Sequence, residues 1–315
     1  MTEMQGPPWV AGTLPRGVWI QLYLGSMRVV DLQRMLAEAK RLKCGVVFHG
    51  GNATHAAQAR AMGVPFAFSF GLDGSGSGQA KGERLGKLLS SVSDTAFALL
   101  DAEGQWDSDK GAEDLTDEAN ALDLVKALRG HVGPHFVIGD QPWFAMDSHG
   151  EERRIAKPLG EGGTFGGFPS DEFASGVQFR APQLYFRNSR DPRAYEKWRA
   201  WHERDWAKHD ASLSRLGLDR PRCWTLQGYG NTERPQDIVD ALLRGRDRLT
   251  VIWWDQQYAG SWAATAACIE AVNRMTALGM TPPDRSAVDC VRAWQRSLGV
   301  TDDGICGPNT LRAGV

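Results

Sequence analysis

The sequence predicts an α/β protein: a (β/α)8 barrel of the TIM type followed by a small α-helical unit at the C-terminus. The first observation is the length of 315 residues, enough for one barrel and a short appendage. The second is that eight short apolar runs mostly alternate with stretches of helical periodicity over about 260 residues. A doubly wound sheet is the second choice, but no GxGxxG follows the first strand and no P-loop is present.

Each predicted strand is an apolar run bounded by Gly, Pro or polar residues. In chain order the predicted strands are 17–25, 45–51, 65–72, 95–107, 134–144, 176–188, 221–230 and 249–260. Helices are predicted where apolar residues recur every three or four positions. The predicted helices are 29–44, 52–63, 81–92, 118–128, 192–216, 234–244 and 263–278. Residues 145–175 lack periodicity and are rich in Gly, which predicts a functional loop inserted over the site.

The predicted barrel domain comprises residues 1–280, and TPPDR at 281–285 reads as a linker. Residues 281–315 then form a separate, partial helical domain. About thirty-five residues alone bury little core, so this unit either borrows preceding residues or docks on the barrel.

The composition excludes several classes of function. Lys and Arg number 36 against 38 Asp and Glu, and a net charge of −2 gives no reason to expect nucleic acid as a partner. No apolar run is long enough for membrane insertion, and the N-terminus lacks signal-peptide features, so synthesis in the cytoplasm is expected. The five cysteines lack zinc-ligand spacing, and only Cys290 and Cys306 lie close enough in sequence to suggest a disulfide.

Barrel active sites lie at the C-terminal ends of the strands, so polar and aromatic residues there are the substrate-binding candidates. These candidates are Gln21, Tyr23, His49, Asp140, Trp143, Gln183, Tyr185, Gln227, Trp254 and Asp255. Amides, phenols and acids suit the many hydroxyls of a sugar, and the aromatic rings suit its apolar faces. A lone strand-end histidine is more often structural, so neither a metal nor another cofactor is expected.

Two carboxylates, Asp101 and Glu103, end the predicted fourth strand. Alternate residues of a strand share a face, so their Cα atoms should lie about 6.6 Å apart on one side. Two acids this close do not ionise independently, as glycoside hydrolysis requires. Glu103, nearer the mouth, is the predicted general acid, and Asp101 is either the nucleophile or the group that orients a substrate acetamido group. Asp255 and Asp140 are the reserves for this pair. Alternatively, each of these acids is the structural partner of an arginine such as Arg180 or Arg187.

The strand-four DxE, the barrel and the Gln, Tyr and Trp strand ends resemble the barrel lysozymes of glycoside hydrolase family 25. The resemblance covers roughly residues 17–278 and implies carboxylate catalysis by Glu103 and Asp101. In contrast to that family, the first strand, GVWIQLYLG, carries no aspartate.

The C-terminal unit resembles the second half of the peptidoglycan-binding type 1 domain. The matching residues are Val291, Trp294, Gln295, Gly299, Val300, Asp303, Gly304, Gly307 and Thr310. Together the two resemblances imply a monomeric, muramidase-like peptidoglycan hydrolase, a phage endolysin that acts at the bacterial cell wall after release. The alternative is a non-catalytic wall-binding or phage structural protein that retains the barrel, which the missing strand-one aspartate favours.

Overall fold

The computed structural model describes most of the predicted barrel and the C-terminal unit. The described residues are 13–72, 76–102, 115–141, 170–181, 183–184, 196, 200, 220–221, 223–227, 235–254, 262–282 and 284–315. Nine strands belong to one parallel sheet in this part of the chain. They are β1 Gly17–Tyr23, β2 Gly45–His49, β3 Phe66–Leu72, β4 Ala98–Ala102, β5 Ile138–Asp140, β6 Phe179–Arg180, β7 Gln183–Leu184, β8 Trp224–Gln227 and β9 Leu249–Trp254.

The sheet closes on itself, in the order β6-β5-β4-β3-β2-β1-β9-β8-β7. Its two ends, β6 and β7, both lie within the predicted sixth strand, separated by Ala181 and Pro182. The Cys223 amide donates to the Arg180 carbonyl at 2.7 Å and bridges the seam. The predicted (β/α)8 barrel is therefore confirmed, with β6 and β7 as its staggered sixth position and β8 and β9 as its seventh and eighth.

Helices surround this barrel and complete the C-terminal unit. They are α1 Val29–Arg41, α2 Ala53–Met62, α3 Gly78–Ser91, α4 Leu115–Val132, α5 Ser170–Gly176, α6 Pro235–Arg244, α7 Trp262–Ala277, α8 Ala287–Leu298 and α9 Pro308–Gly314. A 3-10 turn, Leu24–Ser26, follows β1. Most of the predicted helix 192–216 lies outside the described residues.

One stretch of the predicted loop is helical instead. The prediction of a loop over 145–175 is wrong for its last residues, because α5 begins at Ser170. Phe173 and Ala174 of this helix are fully buried, and Gly176 lies directly against Val125 of α4. Seven residues are too few to show helical periodicity in sequence, which is why the pattern missed it. Residues 145–169 lie outside the described part of the chain.

The strands have two apolar faces, as expected for a barrel covered by helices. The inward face forms one cluster, whose members include Trp19, Val47, Leu99, Phe179 and Val251. The outward face packs against the helices in a second cluster. Glycine makes room for the largest inward rings, since a Cβ at Gly45 would overlap Trp19 and one at Gly139 would overlap Phe179.

Helices α3 and α4 pack unusually closely. Gly78, Gly82 and Gly86 recur every four residues along one face of α3, and a Cβ at either of the first two would overlap backbone atoms of α4. The two backbones therefore touch without intervening side chains. This packing fixes the helices that flank β4, which carries Asp101.

The C-terminal unit docks on the barrel. Helix α8 contacts α6 and α7, and α9 contacts α7, while buried Trp294 joins the same apolar cluster as the barrel helices. Ser286 caps the start of α8, where its Oγ accepts from the Asp289 amide at 3.2 Å, and Gly299 ends the helix in the left-handed conformation. The boundary at residues 280 and 281 stays a prediction.

All five cysteines are free and buried, so the disulfide considered between Cys290 and Cys306 does not form. Both side chains instead pack as thiols in the apolar cluster, and burial raises the pKa of Cys306 to about 12. Among the described helices, none combines the length and apolarity that crossing a membrane requires.

Candidate active site at the barrel mouth

Strand alternation decides which polar side chains enter the barrel. Trp19, Val47 and Leu99 belong to the inward cluster, and side chains two residues further along a strand share its face. The inward face therefore continues toward the C-terminal end of the barrel as Gln21, His49 and Asp101. This end is where barrel enzymes place their chemistry.

Two polar layers of side chains fill the barrel near its mouth. The lower layer takes one residue from each of the first, third, fifth and seventh strand positions of the barrel. Its members are Gln21, Ser69, Gln141 and Thr225, all buried. Gln141 Nε2 donates to Gln21 Oε1 at 2.7 Å and to Thr225 Oγ1 at 3.0 Å. Ser69 Oγ donates to Gln141 Oε1 at 3.0 Å, and Gln21 Nε2 approaches Ser69 Oγ at 3.4 Å. The layer is thus a hydrogen-bonded floor across the barrel, without a formal charge.

The even positions supply the layer above. Its members are His49, Asp101, Gln183 and Trp253. Gln183 Nε2 donates to Asp101 Oδ1 at 2.8 Å, and His49 Nδ1 lies 3.5 Å from Asp101 Oδ2. The carboxylate, 3% exposed, is therefore held from both sides by neutral groups. Four side chains from alternate strands in each layer is the usual filling of such a barrel, here made polar near the mouth.

Three rings form an aromatic platform beside this carboxylate. The ring centroids of Tyr23 and Trp253 are 5.9 Å apart and nearly parallel. His49 lies 5.3 Å from Tyr23 and 5.4 Å from Trp253. Tyr23 is 36% exposed, so the platform opens to solvent and offers an apolar face on which a sugar ring could stack.

His49 is uncharged at neutral pH, because burial lowers the pKa of its imidazole to about 4. Its Nδ1 approaches both Asp101 Oδ2 and Ser69 Oγ, the latter at 3.3 Å. A nucleophilic serine relay needs the hydroxyl and the carboxylate on opposite ring nitrogens. Here both lie on the same nitrogen, so the three residues do not form such a relay.

Two predicted site residues lie on the other face of their strands. Asp140 forms a buried ion pair with Arg180, whose Nη2 lies 2.6 Å from Asp140 Oδ2. Trp254 packs in the apolar layer between strands and helices. The structure does not bring Asp140 or Trp254 to the mouth, and Asp140 takes the arginine-paired role that was the structural alternative for the acids.

Several other predicted residues are not placed. Glu103, Trp143, Tyr185 and Asp255 lie outside the described residues, and of Gln227 only the backbone in β8 is described. Their roles stay predictions. Gln21, Tyr23, His49, Asp101 and Gln183 are brought together.

Sequence reasoning missed Ser69 and Thr225, because only residues at strand ends were considered. Stepping back two residues along the inward face from Gly71 and Gln227 would have found both. No group of three or more His, Cys, Asp or Glu that could hold a metal ion occurs among the residues described.

No family model matches the sequence, and no curated protein matches it. The barrel lysozyme and endolysin resemblances thus have no family-level support. Among solved structures, active domain 2 of a chitinase from Pyrococcus furiosus is 12% identical with a TM-score of 0.50, covering 85% of this chain and 98% of that one.

A GH18 chitinase from Pseudoalteromonas aurantia is 13% identical with a TM-score of 0.45, covering 82% and 99% of the two chains. A fructose-bisphosphate aldolase from Campylobacter jejuni is 12% identical with a TM-score of 0.44, covering 95% and 86%. Since one barrel serves unrelated reactions, likeness at this identity shows the fold and leaves the chemistry to the site.

Proposed function

We propose that this chain is a glycoside hydrolase that uses Glu103 and Asp101, with peptidoglycan as its substrate. The observation that carries the proposal is the position of Asp101. Its carboxylate points into the barrel at the C-terminal end of β4, beside an aromatic platform and above a polar floor. This position and these neighbouring groups suit the cleavage of a sugar bond.

The contacts of Asp101 favour an orienting role over a nucleophilic one. Gln183 donates to one oxygen, His49 approaches the other, and an ionised carboxylate only accepts hydrogen bonds. A nucleophile must approach its target to about 3–3.5 Å, which a carboxylate enclosed on both sides does poorly. In this proposal Asp101 orients an acetamido group, and Glu103 supplies the proton as general acid.

Peptidoglycan as the substrate is supported by the C-terminal unit. Gln295 Nε2 donates to Asp303 Oδ1 at 2.8 Å, and Gln295 Oε1 accepts from the Gly304 amide at 2.8 Å. Thr310 Oγ1 completes the cluster at 3.1 Å from Gln295 Nε2. The residues that carry the wall-binding resemblance thus hold one turn together. The proposed enzyme is a monomer that acts at the cell wall after release from the cytoplasm.

Release of reducing sugar tests the proposal. Wild type, Glu103→Gln and Asp101→Asn are incubated with purified sacculi and, separately, with chitin oligosaccharides. We expect wild type to release sugar from sacculi and each variant to lose at least about 100-fold. Activity on chitin oligosaccharides but not on sacculi would support the glycosidase activity and contradict peptidoglycan as the substrate. Undiminished release of sugar by both variants would show that Glu103 and Asp101 are not the catalytic pair.

The second candidate is a non-catalytic wall-binding protein, and Gln21 is the observation in its favour. Barrel lysozymes resembling this chain carry an aspartate on strand one, whereas Gln21 is tied into the floor by Gln141 and Ser69. Pull-down by sacculi without any release of reducing sugar would decide for this candidate.

A further inference from the structure

The hydrogen bonds of the floor have a fixed direction, which starts at a backbone carbonyl. The Ala181 carbonyl can only accept, and Thr225 Oγ1 donates to it at 2.9 Å. Having used its one hydrogen, the Thr225 hydroxyl must accept from Gln141 Nε2, 3.0 Å away. The amide of Gln141 is thereby oriented, with its oxygen on the opposite side.

The same direction continues from Gln141 to His49. Ser69 Oγ donates to Gln141 Oε1 at 3.0 Å, so the serine hydrogen is also used. His49 Nδ1, 3.3 Å from Ser69 Oγ, must therefore carry a hydrogen, which Asp101 Oδ2 can also accept. A neutral imidazole has a single N–H, so His49 Nε2 bears a lone pair.

Nε2 lies beside the end of β3. A Cβ on Gly71 would lie 3.1 Å from it, so the glycine leaves room next to the nitrogen that any larger residue would fill. The side chain is 13% exposed, and the rings of Tyr23 and Trp253 flank it. Within the described residues, the hydrogen bonding of this imidazole is all at Nδ1.

We infer that His49 is a specificity-determining residue whose Nε2 accepts a hydrogen bond from an O–H or N–H group of the sugar bound on the Tyr23 and Trp253 platform. The inference rests on the proposed function and adds which substrate group the site recognises. An acceptor-only nitrogen pairs with a hydroxyl or an acetamido N–H and rejects a carbonyl oxygen in the same position. Thr225 acts through the floor as a positioning residue.

Nitrogen NMR of the full-length, histidine-labelled protein at pH 7 tests the tautomer. His55 is an internal reference of opposite kind, because the Asn52 amide donates to His55 Nδ1 at 3.2 Å. Signals are assigned by their loss in His49→Asn and His55→Asn. We expect His49 to be protonated at Nδ1 and His55 at Nε2, and Thr225→Val to mix the His49 tautomers. A His49 ring protonated at Nε2 in wild type would overturn the inference.

Calorimetric binding to chitotetraose and cellotetraose, in the Glu103→Gln background, tests the acceptor. His49→Asn keeps an amide near Nδ1 and removes Nε2, whereas His49→Gln places an amide oxygen near Nε2. We expect His49→Asn to weaken binding about tenfold or more and His49→Gln to stay within about threefold of the parent. Circular dichroism confirms that each variant is folded.

Comparison of the two sugars shows which substrate group donates to His49 Nε2. Weakened binding of chitotetraose alone identifies the acetamido N–H, and weakened binding of both identifies a hydroxyl. Parent-like binding by folded His49→Asn would overturn the inference and leave the proposed function standing. A parent that binds neither sugar nor sacculi would overturn both.

Discussion

Gln183 donates a 2.8 Å hydrogen bond from its side-chain amide to Asp101 Oδ1, across two positions of the barrel. The same nitrogen reaches the Gln141 carbonyl at 3.2 Å, so the amide is anchored to the backbone as well as to the carboxylate. This places Gln183 as a support for Asp101 that is independent of His49.

Gln183→Leu should lower kcat on the glycan substrate by about 10- to 100-fold, because Asp101 loses a donor in a buried site. Gln183→Glu should lower it further, since a second carboxylate would face the first. Steady-state kinetics on folded protein measures both. Equal activity of wild type and the leucine variant would show that Asp101 does not depend on this contact.

Arg180→Met should destabilise the fold by about 3–5 kcal/mol, because it leaves Asp140 buried without its partner. The double variant Arg180→Met, Asp140→Leu should recover most of this loss, since neither charge remains. Urea unfolding gives both free energies. Because the pair lies outside the mouth, activity per folded molecule should be unchanged, and a selective loss of activity would instead place Asp140 in the site.

Gly139→Ala should destabilise by about 1–3 kcal/mol, because the added Cβ would overlap the Phe179 ring inside the barrel. Gly130→Ala is the matched control. Gly130 lies within α4, with nothing within 4 Å of an added Cβ, so the change should stabilise by up to about 1 kcal/mol. Thermal unfolding of the two variants compares them directly, and equal effects would contradict the inward packing of Phe179.

The stability that His49 contributes should fall as the pH is lowered. Burial lowers its pKa to about 4, against about 6.5 in an unfolded chain. Between these values the unfolded state binds more protons, so the contribution is complete above about pH 6.5 and is lost as the pH falls toward 4. The difference in unfolding free energy between wild type and His49→Asn should shrink by about 3 kcal/mol as the pH falls from 6.5 to 4. A pH-independent difference would contradict the burial of a neutral ring.

The barrel and the inward position of Asp101 could be predicted from sequence because both follow from local periodicity. Apolar runs that alternate with helical stretches specify the strand order, and the spacing of residues 99 and 101 specifies one face of β4. Pairing across the barrel is not local. The contact of Asp101 with Gln183 joins residues 82 positions apart, so only the closed structure reveals it.

The choice between Trp253 and Trp254 shows where sequence reasoning failed. Two adjacent tryptophans offer no contrast in polarity, so the pattern does not say which enters the barrel. Val251, two residues before Trp253 and in the inward cluster, would have selected Trp253 by alternation.

The prediction that Asp140 binds substrate is wrong for a related reason. Asp140 and Gln141 are both polar, so the pattern does not say which side chain enters the barrel, and Asp140 pairs with Arg180 on the next strand.

The direction built into the floor has a consequence for the energy of reaction. The hydroxyls of Ser69 and Thr225 and the amide of Gln141 are oriented by the Ala181 carbonyl before any ligand arrives. In water, dipoles around a developing charge must rotate during the reaction, and that reorganisation raises the barrier. Here the dipoles under Asp101 and His49 are already oriented in the resting protein, so these groups contribute little to the reorganisation that a developing charge would require.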